Sequence, residues 1–197
     1  YSIVDDPVNG TVSLDGIKVT YTPNENYNGE DTFTYKVNDG TEDSNTATVT
    51  VTVNPVNDTP VSKDIAISTD EDTVLEITLL GSDVDQDDLT YSLVTESSNG
   101  TVSLDGIKVT YTPNENYNGE DTFTYKVNDG TEDSNTATVT ITVKSINDTP
   151  VSKDISVSTD EDNSVEVSLD ASDLDQDTLT YSIVDDPVNG TVSLDGI

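Results

Sequence analysis

The stretch NGTVSLDGIKVTYTPNENYNGEDTFTYKVNDGTEDSNTATVT at Asn99–Thr140 occurs unchanged at Asn9–Thr50, 90 residues earlier. Two periods separate Tyr1–Ile17 from its exact copy at Tyr181–Ile197. Shorter matches keep the same spacing, including Asn57-Asp58-Thr59-Pro60-Val61 with Asn147-Asp148-Thr149-Pro150-Val151, and Thr69-Asp70-Glu71-Asp72 with Thr159-Asp160-Glu161-Asp162. Solenoid units run about 20–50 residues and borrow their core from neighbours. A 90-residue period is instead a whole domain.

Seven alternating segments bounded by turn residues are legible in the complete period: Val61–Ser68, Val74–Leu80, Leu89–Val94, Thr101–Leu104, Ile107–Thr112, Thr122–Val127 and Thr136–Val143. Asp105-Gly106 joins two of them as a hairpin signal, because a tight turn needs the positive φ that Gly and Asp tolerate. Asn118-Gly119 and Asp129-Gly130 read as further turns. Phe123, Tyr125 and Val127 share one strand face and Thr122, Thr124 and Lys126 the other, while Val139, Ile141 and Val143 repeat the pattern. With no helical periodicity, the expected fold is all-β: tandem seven-stranded Ig/cadherin-like β-sandwich repeats with a 90-residue period.

The proline-bearing segments Val53–Pro60 and Val143–Pro150 mark the junctions. They divide the chain into 1–56, the C-terminal part of a repeat; 57–146, a complete repeat; and 147–197, the N-terminal part of the next. A half-sandwich exposes its inner face. The missing strands are therefore expected from the same polymer or a neighbouring copy; residues 147–197 followed by 18–56 make up one full repeat.

Composition narrows the chemistry. Forty Asp and Glu against seven Lys and no Arg give a formal charge of -33. Self-repulsion at that level calls for counterions, and the absence of basic clusters argues against a nucleic-acid partner. There is no Cys and no His, which removes disulfides, thiolate and imidazole ligands and the usual general base. Only oxygen ligands remain. No apolar run reaches the ~20 residues needed to span a bilayer, so no membrane insertion is expected in this segment. Nor does a charged-then-apolar leader follow Tyr1, so any signal or anchor is expected elsewhere.

Asp83-Val84-Asp85-Gln86-Asp87-Asp88 and its copy Asp173-Leu174-Asp175-Gln176-Asp177-Thr178 place three carboxylates at alternate positions just before a strand. Such spacing can wrap oxygens around one hard cation, and Ca²⁺ accepts loosely arranged carboxylates and carbonyls from several loops. Turn-forming Asp on a solvated surface is the competing reading, as it is for Asp70-Glu71-Asp72 and for Asn128-Asp129-Gly130. The motif has neither the glycine nor the terminal Glu of an EF-hand.

In order, these segments form an Asn-Asp-x-Pro junction, an acidic cluster, an alternate-Asp loop before a strand ending in Tyr-Ser, and a late Val-Asn-Asp-Gly. That order resembles the calcium-binding segments of cadherins and, more closely, the bacterial cadherin-like tandem repeats (tandem-95 or VCBS-type) of giant secreted adhesins. The resemblance covers the whole chain and implies calcium ions at the junctions. It implies one site drawing on Glu25, Asn57, Asp58, Asp83, Asp85 and Asp129. It implies a second drawing on Glu71, Glu115, Asn147, Asp148, Asp173 and Asp175, with Asp87 and Asp177 completing the shells. The junction lacks the full Asp-x-Asn-Asp-Asn run, and no Leu-Asp-Arg-Glu segment is present, so Glu25 and Glu115 stand in by position.

The expected function is non-catalytic: a calcium-rigidified extracellular stalk of a large bacterial surface adhesin, its partners being neighbouring repeats. The alternative is a self-associating filament or matrix protein with homotypic contacts between chains. Paired carboxylates repeated in every domain suit no single active site. Tyr21, Tyr27, Tyr111 and Tyr117 would stack on sugars if exposed, though alternation with apolar residues favours core packing for Tyr21 and Tyr111. Lys36 and Lys126 are the candidate donors for isopeptide crosslinks, on strand faces that point outward.

Overall fold

The computed structural model describes residues 1–195; the last two positions of the duplicated segment Tyr181–Ile197 lie outside the described residues. Every regular element among them is a β-strand. The chain forms two compact units, one of Tyr1–Lys63, Leu79–Val94 and Tyr125–Ala137, the other of Asp64–Thr78, Thr95–Thr124 and Thr138–Ile197.

In the first unit, β1 (Ser2–Asp5), β4 (Gly29–Lys36) and β5 (Ala47–Val53) make a sheet in the order β1-β4-β5, beside the hairpin of β2 (Gly10–Asp15) and β3 (Lys18–Pro23). Two short strands, β6 (Val61–Ser62) and β9 (Gly81–Ser82), pair antiparallel. In the second unit, β8 (Leu75–Thr78), β11 (Gly100–Asp105) and β12 (Lys108–Pro113) form a sheet in the order β11-β12-β8, and β15 (Val151–Ser152) pairs with β16 (Ala171–Ser172). In this unit β7 (Ile65–Asp70) runs parallel to β14 (Ala137–Lys144), with Val139 opposite Ile65 and Val143 opposite Thr69. Two further strands are β10 (Thr90–Thr95) and β13 (Gly119–Asn128).

The alternation read from sequence places the core. Phe123, Tyr125 and Val127 on β13, Val139 and Ile141 on β14, and Val109 and Tyr111 on β12 have no exposed surface, while Thr122 is exposed and Thr124 and Lys126 are half-exposed. Each such apolar side chain contributes about 1.5–3 kcal/mol on burial. The hairpin between β11 and β12 closes with Asp105 opposite Lys108, and Gly106 takes φ 59° as its first turn residue. This region favours glycine because a Cβ would crowd the backbone.

One expected strand breaks in two and another shortens, with a separate short strand following it. Val61–Ser68 becomes β6 and β7, and Val74–Leu80 becomes β8 with β9 just beyond it, because the chain changes partner partway. The Tyr125 hydroxyl sits at the first break: it can donate to the carbonyl of Lys63 (2.6 Å) or of Leu80 (2.9 Å), and it accepts from the Leu80 N–H (3.2 Å). After the switch, Asp64 Oδ1 accepts the N–H of Thr138 at 2.7 Å. A single alternating run carries no signal of this change.

A buried carboxylate fastens the far turn of the complete repeat. Asp121, 3% exposed, accepts hydrogen bonds from the N–H groups of Ser98, Asn99 and Thr122 and from the Tyr111 hydroxyl (2.9 Å). Burial, then the bond and charge of Asp121, push the Tyr111 phenol up. Asp31 repeats the arrangement with Val8, Asn9, Thr32 and Tyr21. Tyr27 and Tyr117 donate their hydroxyls to the carbonyls of Glu30 and Glu120. Lys36 and Lys126 are ion-paired with Asp43 and Asp133 on the surface.

Candidate metal centres

In the first unit the loop after β9 gathers Asp83, Asp85 and Asp87, which each offer an oxygen within 4.8 Å of the others. Local chemistry builds this curl. Gln86 takes φ 66°, and the Asp87 N–H donates to Asp83 Oδ1 at 3.2 Å. Such side-chain-to-backbone bonds are why Asp favours turns. The junction is tied to the loop by the Asp58 N–H, which donates to Asp85 Oδ2 at 2.7 Å. Asp83 Oδ2 is buried and has no hydrogen-bond partner. An orphaned buried carboxylate oxygen costs free energy unless a donor or cation meets it.

Asp129 lies in the loop after β13, where its Oδ1 accepts the N–H groups of Thr131 and Glu132 and its Oδ2 accepts the Asn57 side-chain amide at 2.9 Å. Asn57 and Asp129 are thus joined to each other rather than to the converging trio. Glu25 is exposed beyond β3 and lies outside that trio.

The second unit repeats the curl one period on and adds to it. Asp173, Asp175 and Asp177 converge, and Glu71, Asp148 and Asp175 form a second trio that shares Asp175. The Asp148 N–H donates to Asp175 Oδ2 at 2.6 Å, and the Ser145 hydroxyl donates to Asp175 Oδ1 at 3.2 Å. Glu71 is 5% exposed; its N–H donates to the Lys144 carbonyl and its Oε1 accepts the Ile146 N–H, so the end of β14 holds it. Asn147 is exposed and donates its side-chain amide to the Asp148 carbonyl. Glu115 is exposed and belongs to neither trio. Sequence reasoning read Asn118 only as a turn residue and gave Ser145 no role in a site; both line a cleft of about 410 Å³ with Asn147, Leu174, Asp175, Gln176 and Asp177. The junction spacing points at neither.

Electrostatics separates these carboxyls. Burial and the charges of Asp83, Asp85, Asp129 and Asp88 raise Asp87 above its ordinary 3.8. Burial and the charges of Asp175, Glu71, Asp72 and Asp173 raise Asp148 likewise. Asp129 is lowered by the Glu132 N–H, the Asn57 amide and the Thr131 N–H, which outweigh burial. For Asp31 burial opposes the shift, and the hydrogen bonds from Asn9, Thr32, Tyr21 and Val8 overcome it.

A raised carboxyl stabilises the fold below its unfolded value and loses that contribution as pH rises through the folded value; a lowered one stabilises above the unfolded value and fails as pH falls through the folded value. The metal-free chain should therefore be most stable at mildly acidic pH. Stability falls toward neutrality as Asp87 and Asp148 ionise, and falls in stronger acid as Asp129 and Asp31 protonate. Thermal melts in chelator from about pH 3 to 8 check this; a steady rise up to neutral pH would contradict it.

Residues 1–52, 57–142 and 147–197 match the bacterial Ig domain family. Integrin beta-like protein B of Dictyostelium discoideum is 29% identical over 133 residues, which are 59% of this chain and 7% of that protein. Among solved structures, a variant of an endo-fucoidan hydrolase from glycoside hydrolase family 107 is 21% identical with a TM-score of 0.36, over 74% of this chain and 23% of the other. This chain thus spans less than a quarter of either protein. Human mucin-like protocadherin EC1-2 is 21% identical with a TM-score of 0.49, over 71% of this chain and 82% of that one. Drosophila N-cadherin EC1-4 is 16% identical with a TM-score of 0.45, over 88% and 49%. With three successive stretches matched, the chain belongs to the bacterial Ig domain family and is built from tandem Ig-like domains.

Proposed function

We propose that this chain is a non-catalytic, calcium-rigidified spacer from the extracellular stalk of a large bacterial surface adhesin, divided into repeats at 1–56, 57–146 and 147–197. The observation that carries the reading is the buried, unpartnered Asp83 Oδ2 beside Asp85 and Asp87. A hard cation with oxygen ligands satisfies that atom, and the donor set of carboxylates, free of nitrogen and sulfur, suits calcium. Asp58 and Asp148 tie each junction to its acidic loop through a backbone N–H. An ion there fixes the junction to the loop, and its removal leaves like charges facing one another. Calcium is abundant outside cells, which supports an extracellular setting, and near-identical repeats suit a spacer whose copy number sets its reach.

Calcium titration with thermal melting and small-angle scattering, with and without chelator, tests the reading. Calcium at about a hundred times its Kd contributes about 2.7 kcal/mol per site. Melting should rise by about 10 °C or more, with scattering showing a stiffer particle. An unchanged melt and scattering curve would falsify the metal assignment.

A second reading, self-association into a filament, is favoured by one observation. Ile3, Leu14, Val19, Phe33, Val49 and Val51 line an open cleft of about 520 Å³ in the first unit. The matching β12 and β14 are paired with β8 and β7. Strands of an adjoining repeat or a second copy would cover the cleft in the same register. Concentration-dependent oligomers that persist in chelator would support this reading.

A further inference from the structure

The geometry points to Asn118 as a site of spontaneous deamidation whose product adds a carboxylate to the cleft of the second unit. An Asn side chain followed by glycine is open to attack by the next backbone nitrogen. The Gly119 nitrogen loses its proton and bonds to Asn118 Cγ, and the side-chain nitrogen leaves as ammonia. Water then opens the succinimide to an Asp or isoaspartyl residue. Closing the ring requires the peptide to rotate, so room around the glycine decides which Asn-Gly pairs react.

The complete repeat holds two such pairs, and the structure treats them differently. Asn99 is clamped: its N–H donates to Asp121 Oδ2 at 3.0 Å and its carbonyl accepts the Asn114 N–H at 2.8 Å. A Cβ built on Gly100 would lie 2.5 Å from a Tyr111 ring carbon and 2.7 Å from the Thr112 carbonyl oxygen. Held at both its N–H and its carbonyl and packed against the Tyr111 ring, Asn99 resists the rotation that ring closure needs. Asn118 is exposed, and a Cβ on Gly119 would approach only the ring tip of Tyr117, with its hydroxyl nearest at 3.1 Å. Asn28 sits in an identical loop, with Tyr27 in the place of Tyr117, and Asn9 is clamped by Asp31 as Asn99 is by Asp121. The molecule therefore carries its own replicate of each case. Asn189, exposed in a turn, is open too but does not line the cleft.

Asn118 is distinguished by what surrounds it, because it lines the cleft that holds Asp175 and Asp177. Converting its amide to a carboxylate adds a negative charge and an oxygen ligand beside the Asp173, Asp175 and Asp177 trio. This consequence rests on the calcium reading above; the modification itself does not. With that reading, age tightens the second junction.

Incubation of the 197-residue chain at mildly alkaline pH, followed by peptide mapping with isoaspartate detection, tests the modification first. Conversion should proceed at Asn118 and Asn28 while Asn99 and Asn9 stay intact over the same days. Equal conversion at Asn99 and Asn118, or none at Asn118, would overturn the proposal. Calcium binding by N118D is then compared with wild type and N118Q at low salt, where one added charge should tighten affinity about three- to tenfold. Unchanged affinity in N118D alongside selective conversion would overturn the coupling to the cleft alone. Absence of calcium binding in every form would instead overturn the calcium reading and leave the modification standing.

Discussion

Phe123→Ala is expected to cost about 3–5 kcal/mol of unfolding free energy, the range for truncating a sealed aromatic core side chain. Phe123 has no exposed surface and sits on β13 between Tyr125 and the buried carboxylate Asp121. A void there has no route to solvent. Phe33 occupies the same place in an identical stretch of sequence, yet it lines the open cleft of the first unit. Phe33 is itself only 4% exposed, so Phe33→Ala loses most of the transfer term, but the space it leaves opens onto the cleft and no sealed cavity forms. Urea unfolding of the two variants gives the comparison, and equal losses would mean that the cleft is covered in solution.

Asp175→Ala is expected to weaken calcium binding at the second junction by more than about a hundredfold, because loss of an outer-sphere partner alone costs about 10–100-fold. Asp175 belongs to both carboxylate trios and also accepts the Asp148 N–H and the Ser145 hydroxyl. Its removal takes a ligand from each trio and releases the junction from the loop. Asp175→Asn keeps an oxygen acceptor for Asp148 while lowering the charge. It should keep most of the metal-free stability yet bind calcium more weakly than wild type, separating the two roles. Isothermal titration and melting in chelator read these quantities independently; calcium affinity retained in both variants would place the ion elsewhere.

Much of the candidate site was legible because its residues act locally. Asp83, Asp85 and Asp87 converge through one turn of chain, with Gln86 in the left-handed region and an Asp83–Asp87 hydrogen bond. Alternate spacing is enough to foresee that curl. Glu71 and Asp148 are separated by most of a repeat and meet only because β7 lies parallel to β14, whose end delivers Ile146 to the Glu71 carboxylate. The family resemblance assigned both residues to one site with Asp175, but nothing in the spacing of the residues themselves brings them together. Asn57 with Asp129 likewise came only from the resemblance, and the contact of Ser145 with Asp175 came from neither source.

The sequence alone determined the 90-residue period, the core-facing positions of β13 and β14, and the placement of the acidic loops. These follow from alternation and turn chemistry, properties a segment carries with it. Tertiary structure decided whether a segment is used as its pattern allows. Tyr1–Asp15 and Tyr181–Asp195 are identical, but the first forms β1 and β2 against β4 and β3, while the second contains no strand. Val109 has no exposed surface, whereas Val19, its equal in sequence, is 37% exposed. A strand's N–H and C=O groups need a neighbouring strand to pair with, and an apolar face needs a second sheet to cover it. Neither partner is encoded in the segment itself.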